Sequence, residues 1–278
     1  MHERKWMVFA TALMFAATCL GASPEVRLYT LDCGRATFQD MSGFSDTGEY
    51  DGKPGEVAVP CFLIRHPKGD LLWDLGLGDH FAAPPEGSDV APGVHVVVRT
   101  TLVAQLQALS LTPKDIRYIA FSHLHWDHTG NANAFPDSTW LMNSVELAAG
   151  SVMPPPGGVL PETWNAVKSA KTVAVDGDYD VFGDGSVVIL RAPGHTPGHQ
   201  VLKLKLAKSG TVILSGDLWH QRASRDFKRV PTFNASRADT LASMARVETL
   251  LKNTNGRLIV QHDLKDYDAL PKPPAFLD

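Results

Sequence analysis

The stretch Ser122-His123-Leu124-His125-Trp126-Asp127-His128 places three imidazoles and a carboxylate within seven residues. Neutral imidazole nitrogens and carboxylate oxygens are the usual nitrogen and oxygen ligands of zinc. The His-x-His-x-Asp-His spacing offers ligands in two directions from one turn, as a site for two neighbouring metal ions requires. A histidine pair alone is more often structural than ligating, so further ligands must appear downstream. They do: Pro193-Gly194-His195, Ser215-Gly216-Asp217 and Gln261-His262-Asp263 each close an apolar run.

Those runs predict the elements that position the ligands. Val26-Arg27-Leu28-Tyr29-Thr30-Leu31 alternates, and 57–64 is a longer apolar run. Pro67-Lys68-Gly69-Asp70 turns it back into 71–74, a hairpin. Residues 116–121 predict a strand that delivers the histidine motif, and 186–190 one that delivers His195. Leu202, Leu204 and Leu206 alternate with lysines, and Lys208-Ser209-Gly210 turns this half-buried strand into 211–214, which ends at Asp217. Residues 258–260 lead to His262.

Helices are predicted over 100–109, with Leu102, Val103, Leu106 and Leu109 on one stripe, and over 236–252, with Leu241, Met244, Val247 and Leu251 on one face. Ser236-Arg237-Ala238-Asp239 resembles a capping box, and Asn255-Gly256 stops the second helix. Residues 63–74 and 204–217 echo one another as strand, lysine-containing glycine turn, strand, aspartate. Two such halves, each a sheet covered by helices, would stack as an αββα sandwich. In layered α/β folds, sites gather where loops converge at strand ends.

Taken in order, His123-x-His125-x-Asp127-His128, Pro193-Gly194-His195-Thr196-Pro197-Gly198-His199, Gly216-Asp217 and Gln261-His262-Asp263 resemble the metal motifs of the metallo-β-lactamase superfamily. Val59-Pro60-Cys61-Phe62-Leu63-Ile64, followed by Trp73-Asp74-Leu75-Gly76, is most similar to the N-acyl-homoserine lactonase branch. The resemblance implies the α/β class, as a four-layer αββα sandwich over residues 23–278. It implies two zinc ions, or other divalent metals such as iron, manganese or cobalt. His123, His125 and His195 would hold one metal, Asp127, His128 and His262 the other, and Asp217 would bridge both. Asp74 matches the family's structural aspartate behind the site.

The implied reaction is hydrolysis of a small-molecule ester or lactone by a hydroxide shared between the metals, with an acyl-homoserine lactone as substrate. Asp127 would also pass a proton to the leaving oxygen. One departure concerns substrate. Lactonases of this type commonly carry a tyrosine three residues after the bridging aspartate, where Asp217-Leu218-Trp219-His220 places His220. Imidazole can donate the same hydrogen bond to a carbonyl oxygen, so His220 joins Asp127 as a catalytic candidate. An arylesterase or organophosphate hydrolase remains open, and so does a β-lactamase, though those enzymes usually place cysteine or serine at the Asp217 position. A non-catalytic metal-binding protein is the reading from another class.

His199 is expected to pack within its loop rather than ligate. His66, His80 and His95 lack companions and are expected to be solvated. Trp126 is a candidate pocket wall, and Phe81, Phe135, Met153, Trp164 and Phe233 are candidates for an acyl groove.

Of 278 residues, 44% are hydrophobic and 20% charged, an ordinary globular composition with length for one large core and one domain. The net charge of −4 and the absence of any Lys/Arg cluster longer than a dipeptide argue against a nucleic-acid partner. Residues 1–22 read as a secretory signal peptide: Arg4 and Lys5, an apolar run, then Leu20-Gly21-Ala22. The run is shorter than the roughly 20 residues of a membrane span. A periplasmic or secreted protein without a membrane anchor is therefore expected, and a homodimer is left open. Cys33 and Cys61 would remain in a compartment that permits a disulfide, although two buried free thiols are the expectation.

Overall fold

The computed structural model describes residues 25–278, so the predicted signal peptide at 1–22 lies outside the described residues. One sheet contains β1 (Arg27–Phe38), β2 (Gly55–Arg65), β3 (Asp70–Trp73), β4 (Ser88–Ala91), β5 (Val94–Val97), β6 (Ile116–Ala120), β7 (Thr139–Met142) and β8 (Lys171–Ala174), in the order β4-β5-β1-β2-β3-β6-β7-β8. The other contains β9 (Tyr179–Asp180), β10 (Val187–Arg191), β11 (Gln200–Leu206), β12 (Gly210–Leu214) and β13 (Arg257–Ile259), in the order β13-β12-β11-β10-β9. The helices are α1 (Leu102–Ala108), α2 (Trp126–Thr129), α3 (Ser144–Gly150), α4 (Arg222–Phe227), α5 (Arg237–Thr254) and α6 (Leu264–Asp268).

Alternation along the strands sorts side chains between layers. Phe62, Ile64, Leu71 and Trp73 face inward and pack with Val187, Ile189, Leu202, Leu204, Val212 and Leu214 of the second sheet. Their neighbours Leu63 and Leu72 face outward and pack with Leu102 and Leu106 of α1. On the far side, Met244, Val247 and Leu251 of α5 cover Val201 and Ile213. The layers are therefore helix, sheet, sheet, helix, as predicted. Ser236 caps α5 by accepting a hydrogen bond from the Asp239 amide, and α1 is a turn shorter than the 100–109 expected. No helix among the described residues is long and apolar enough to cross a membrane.

The echo between the halves is real at the level of backbone. The antiparallel pair β2–β3 runs out into Asp74, and the antiparallel pair β11–β12 runs out into Asp217. Strands β3 and β6 are parallel, with Trp73 opposite Ala120, so Asp74 and Ser122 emerge side by side.

Two expectations are corrected. Cys33 and Cys61 form a disulfide rather than two free thiols. The reason lies in register: Leu31 pairs with Cys61, and a bulge after Asp32 brings Cys33 back beside it. His66 is buried rather than solvated; its ring stacks on Phe182 at 3.9 Å and its Nε2 lies 3.1 Å from Asp184. His80 is exposed, and His95 pairs with Asp89 at 2.7 Å.

Candidate metal centre

Five strand ends deliver the site. The loop after β6 carries His123 and His125 and leads into α2, whose first turn presents Asp127 and His128. The loops after β10, β12 and β13 bring His195, Asp217 and His262. Strand β3 contributes Asp74, which holds a left-handed φ of 54°, a conformation that a non-glycine residue keeps only where its surroundings enforce it.

All seven predicted ligands come together in two groups. His123, His125, His195 and Asp217 each offer an atom within 4.8 Å of the others, as do Asp127, His128 and His262. His195 Nε2 lies 3.2 Å from His123 Nε2 and 3.1 Å from His125 Nδ1. Asp217 joins the groups: its Oδ2 is 3.2 Å from His195 Nε2, and its Oδ1 is 3.1 Å from His128 Nε2 and 2.9 Å from His262 Nε2.

Nitrogens so close cannot all be satisfied by protons, because each proton serves one contact and leaves other lone pairs facing each other. Burial pushes His123 and His125 well below the ordinary imidazole range, towards the neutral form that binds metal. Burial also opposes charge on His128, but Asp217, Asp127 and Asp74 outweigh it and hold its pKa well above the ordinary value. His262 is raised in the same way by Asp217 and Asp127 against burial. Against the same cost of burial, His262, His220, His128 and His123 hold Asp217 well below the usual carboxylate range. Asp217 Oδ1 is buried and, among the described residues, accepts no hydrogen bond. A cation in each group would satisfy these converging atoms together, so the donor set fits two divalent metals.

In two of the rings the opposite nitrogen is firmly anchored. His128 Nδ1 donates to Asp74 Oδ2 at 2.9 Å, and His262 Nδ1 donates to the Ala58 carbonyl at 2.7 Å. Each contact leaves Nε2 facing the cluster, the support that metal-binding histidines usually have. Asp74 also accepts from the Ser122 amide at 2.7 Å and from Gln261 Nε2 at 2.6 Å. His199 packs behind the site, as expected: its Nδ1 donates to the Ala192 carbonyl and its Nε2 accepts from the Asp217 amide.

His220 is buried with Nε2 2.9 Å from Asp217 Oδ2, and its ring meets Phe44 and Phe233 edge-on. Burial lowers its pKa, which favours a neutral ring. Asp127, His125, Asp217, His220 and His262 line a cavity of about 780 Å³. Of the groove candidates, Phe81 and Phe233 line it, and Trp126 forms part of the wall. Phe135 and Trp164 are instead buried in the core beside α1, and Met153 is exposed away from the cavity.

Sequence reasoning missed three contributors. Phe38 and Phe44 reach the cavity from the β1 end of the first sheet. Glu146 lies buried between two ligand loops. A signal existed for Glu146 in Asn143-x-x-Glu146, but that spacing reads as an ordinary helix cap.

A family model described as the metallo-beta-lactamase superfamily matches residues 54–262. An N-acyl homoserine lactonase, AttM, of Azorhizobium caulinodans is 32% identical over 91% of this chain and 99% of its own length. The N-acyl homoserine lactonase AiiA of Bacillus thuringiensis subsp. kurstaki is 26% identical over 90% of this chain and 98% of its own. Among solved structures, an N-acyl homoserine lactone hydrolase with the product N-hexanoyl-L-homoserine bound at its catalytic metal centre superposes with a TM-score of 0.78. That structure is 25% identical and is matched over 90% of this chain and 98% of its own.

Proposed function

Since the chain belongs to the metallo-beta-lactamase superfamily and is closely related to its N-acyl-homoserine lactonase branch, we propose that this metal-dependent hydrolase opens N-acyl-homoserine lactones with two zinc ions as cofactor. One observation carries the substrate class: His125, Asp127, Asp217 and His262 of the donor cluster line an apolar cavity together with Phe38, Phe44, Phe81, Val94, Trp126 and Phe233. An amphipathic substrate fits such a site, its reactive ring at the donors and its acyl chain against the walls.

Divalent cations held at these donors would supply a nucleophilic water at neutral pH and polarise a carbonyl oxygen. His123, His125 and His195 would hold one, Asp127, His128 and His262 the other, with Asp217 shared between the two groups. The side chains do the rest. Asp127 is 20% exposed in the cavity lining, placed to carry a proton to the leaving alkoxide oxygen through its carboxylate. His220, whose Nε2 lies beside Asp217 on the cavity lining, is placed to donate its N–H to the substrate carbonyl oxygen. Phe44 and Phe233 hold that ring in place and keep bulk water from it.

The test is a substrate panel run on metal-analysed enzyme: a homoserine lactone series, a chromogenic β-lactam, an aryl ester and an organophosphate. Lactone opening should exceed the others by about a hundredfold, since buried polar groups discriminate sharply among substrates. An aryl ester or organophosphate turned over as fast would reject lactonase action in favour of a broad esterase, the reading that His220 leaves open.

Export to the periplasm or beyond belongs to the same proposal. The basic, apolar, small-residue order of residues 1–22 supports it, and so does the Cys33–Cys61 disulfide, a bond of oxidising compartments. N-terminal sequencing of protein from a periplasmic fraction should begin near Ser23; a chain retained in the cytosol with its leader intact overturns it.

A further inference from the structure

Glu146 is 5% exposed and sits in the first turn of α3. Its Oε1 accepts from the Leu124 amide at 3.0 Å, and its Oε2 accepts from the Gly198 amide at 2.9 Å. Leu124 lies between His123 and His125, and Gly198 is three residues after His195. One carboxylate therefore ties together two loops that arise from different sheets, after β6 and after β10. Burial pushes this carboxyl up, while the two amides favour its charged form.

The helix that carries Glu146 is itself fixed. Asn143 Oδ1 accepts from the amides of Val145 and Glu146, each at 3.0 Å, and Asn143 Nδ2 donates to the Val175 carbonyl at 2.9 Å. The approach of the His195 loop is tight. A Cβ on Gly198 would stand 2.4 Å from the Glu146 nitrogen and 2.5 Å from Asn143 Oδ1, so only glycine fits there.

From this geometry we propose that Glu146 is a positioning residue for the His123/His125/His195 half of the site. By holding both loops it sets the spacing of the three imidazoles and so the metal affinity of that half, while the Asp127/His128/His262 half is supported separately through Asp74. The inference rests on reading the cluster as a two-metal site and is independent of the substrate.

Glu146→Gln keeps the shape but can accept through only one end, since its amide nitrogen would face a backbone N–H. The test pairs it with His262→Ala, which leaves the three-histidine half, and with His195→Ala, which leaves the other. Cobalt affinity is read by chelator competition and by visible absorption, with the thermal midpoint of the metal-free protein as a control on folding. Glu146→Gln should weaken cobalt about 10–100-fold in the His262→Ala background, the usual effect of removing such a support. It should leave the His195→Ala background unchanged. Equal weakening in both backgrounds, or in neither, overturns the assignment. Wild-type protein that binds no cobalt would instead overturn the two-metal reading, and this inference with it. If Glu146→Gln fails to fold, Glu146→Asp, one methylene too short to reach both amides, decides the same comparison by the same outcomes.

Discussion

The two halves of the metal centre share Asp217 but are held in different ways. In the Asp127/His128/His262 half, support reaches the imidazoles directly: His128 Nδ1 is bonded to Asp74 and His262 Nδ1 to the Ala58 carbonyl. In the His123/His125/His195 half, among the described residues, His123 Nδ1 meets only the hydroxyl of Ser122 at 3.0 Å, and His195 Nδ1 is buried without a partner. There the buried carboxylate, Glu146, grips backbone amides instead of rings. One half is thus fixed by orienting side chains, the other by fixing the loops that bear them. A ring held by a carboxylate is a stronger electron donor and keeps its tautomer. A ring held only through its loop depends on the spacing of backbones.

The largest break in this comparison should come from Asp74→Ala. The substitution strips His128 of its partner and leaves the Ser122 amide and Gln261 Nε2 unserved in a fully buried place. Metal content should fall from two to one per chain, and kcat/KM by about a hundredfold. Breaking a buried ion pair costs about 3–5 kcal/mol, so the thermal midpoint should drop as well. Retention of both metals, measured by elemental analysis of the purified variant, would mean that Asp74 does not support its half as described.

Acidity should separate the halves next. Protons compete with metal for the same nitrogens. His128 and His262 have raised pKa values, so they take up protons first as the pH falls, whereas His123 and His125 are lowered and stay neutral. Acidification should therefore release metal from the Asp127/His128/His262 half first, with affinity falling about tenfold per pH unit for each proton taken up. Cobalt absorption followed downward from about pH 8 should therefore lose the contribution of the Asp127/His128/His262 half before that of the other. Simultaneous loss from both halves would contradict the assignment of these shifts.

How much of this was legible in the sequence follows from what is local. Each ligand closes an apolar run, and a strand end is a local feature, so all seven were readable together with the layer order. Asp74 was legible through the family resemblance, since its place at a strand end also suits an ordinary turn residue. The disulfide was not, because it depends on a bulge that resets the pairing between Asp32 and Arg35. Glu146 was hidden by its own grammar: the spacing from Asn143 announces a cap, and Asn143 does cap α3, but the glutamate turns away to Leu124 and Gly198. The groove was half legible. Phe135 and Trp164 look like loop hydrophobics in sequence yet pack into the core, and Phe44 reaches the cavity through tertiary packing alone.

His220 stands between the halves, with ring centroids 5.2 Å from His195 and 5.7 Å from His262. It is not among the metal-binding groups. His220→Ala should therefore leave both metals bound and lower kcat about tenfold, the worth of one hydrogen bond to the reacting carbonyl. Turnover at the wild-type level would remove it from the chemistry, and lost metal would move it into the cluster.

The smallest effect should belong to Phe233, which is 47% exposed and packs edge-on to both His195 and His220. Its ring lies on the side of the three-histidine half, where it forms a wall of the main cavity and of a smaller one beside Glu146. Phe233→Ala removes apolar surface without replacing any residue of the donor groups. Losing contact with two or three methylenes at about 0.8 kcal/mol each bounds the effect on long-chain substrates, and partial exposure reduces it. The expectation is a several-fold rise in KM for long acyl chains, little change for short ones, and unchanged metal content. Equal effects on all chain lengths would place Phe233 with the support of His195 and His220 rather than with the acyl wall, and the loop-held half would then lean on an aromatic ring as well as on Glu146.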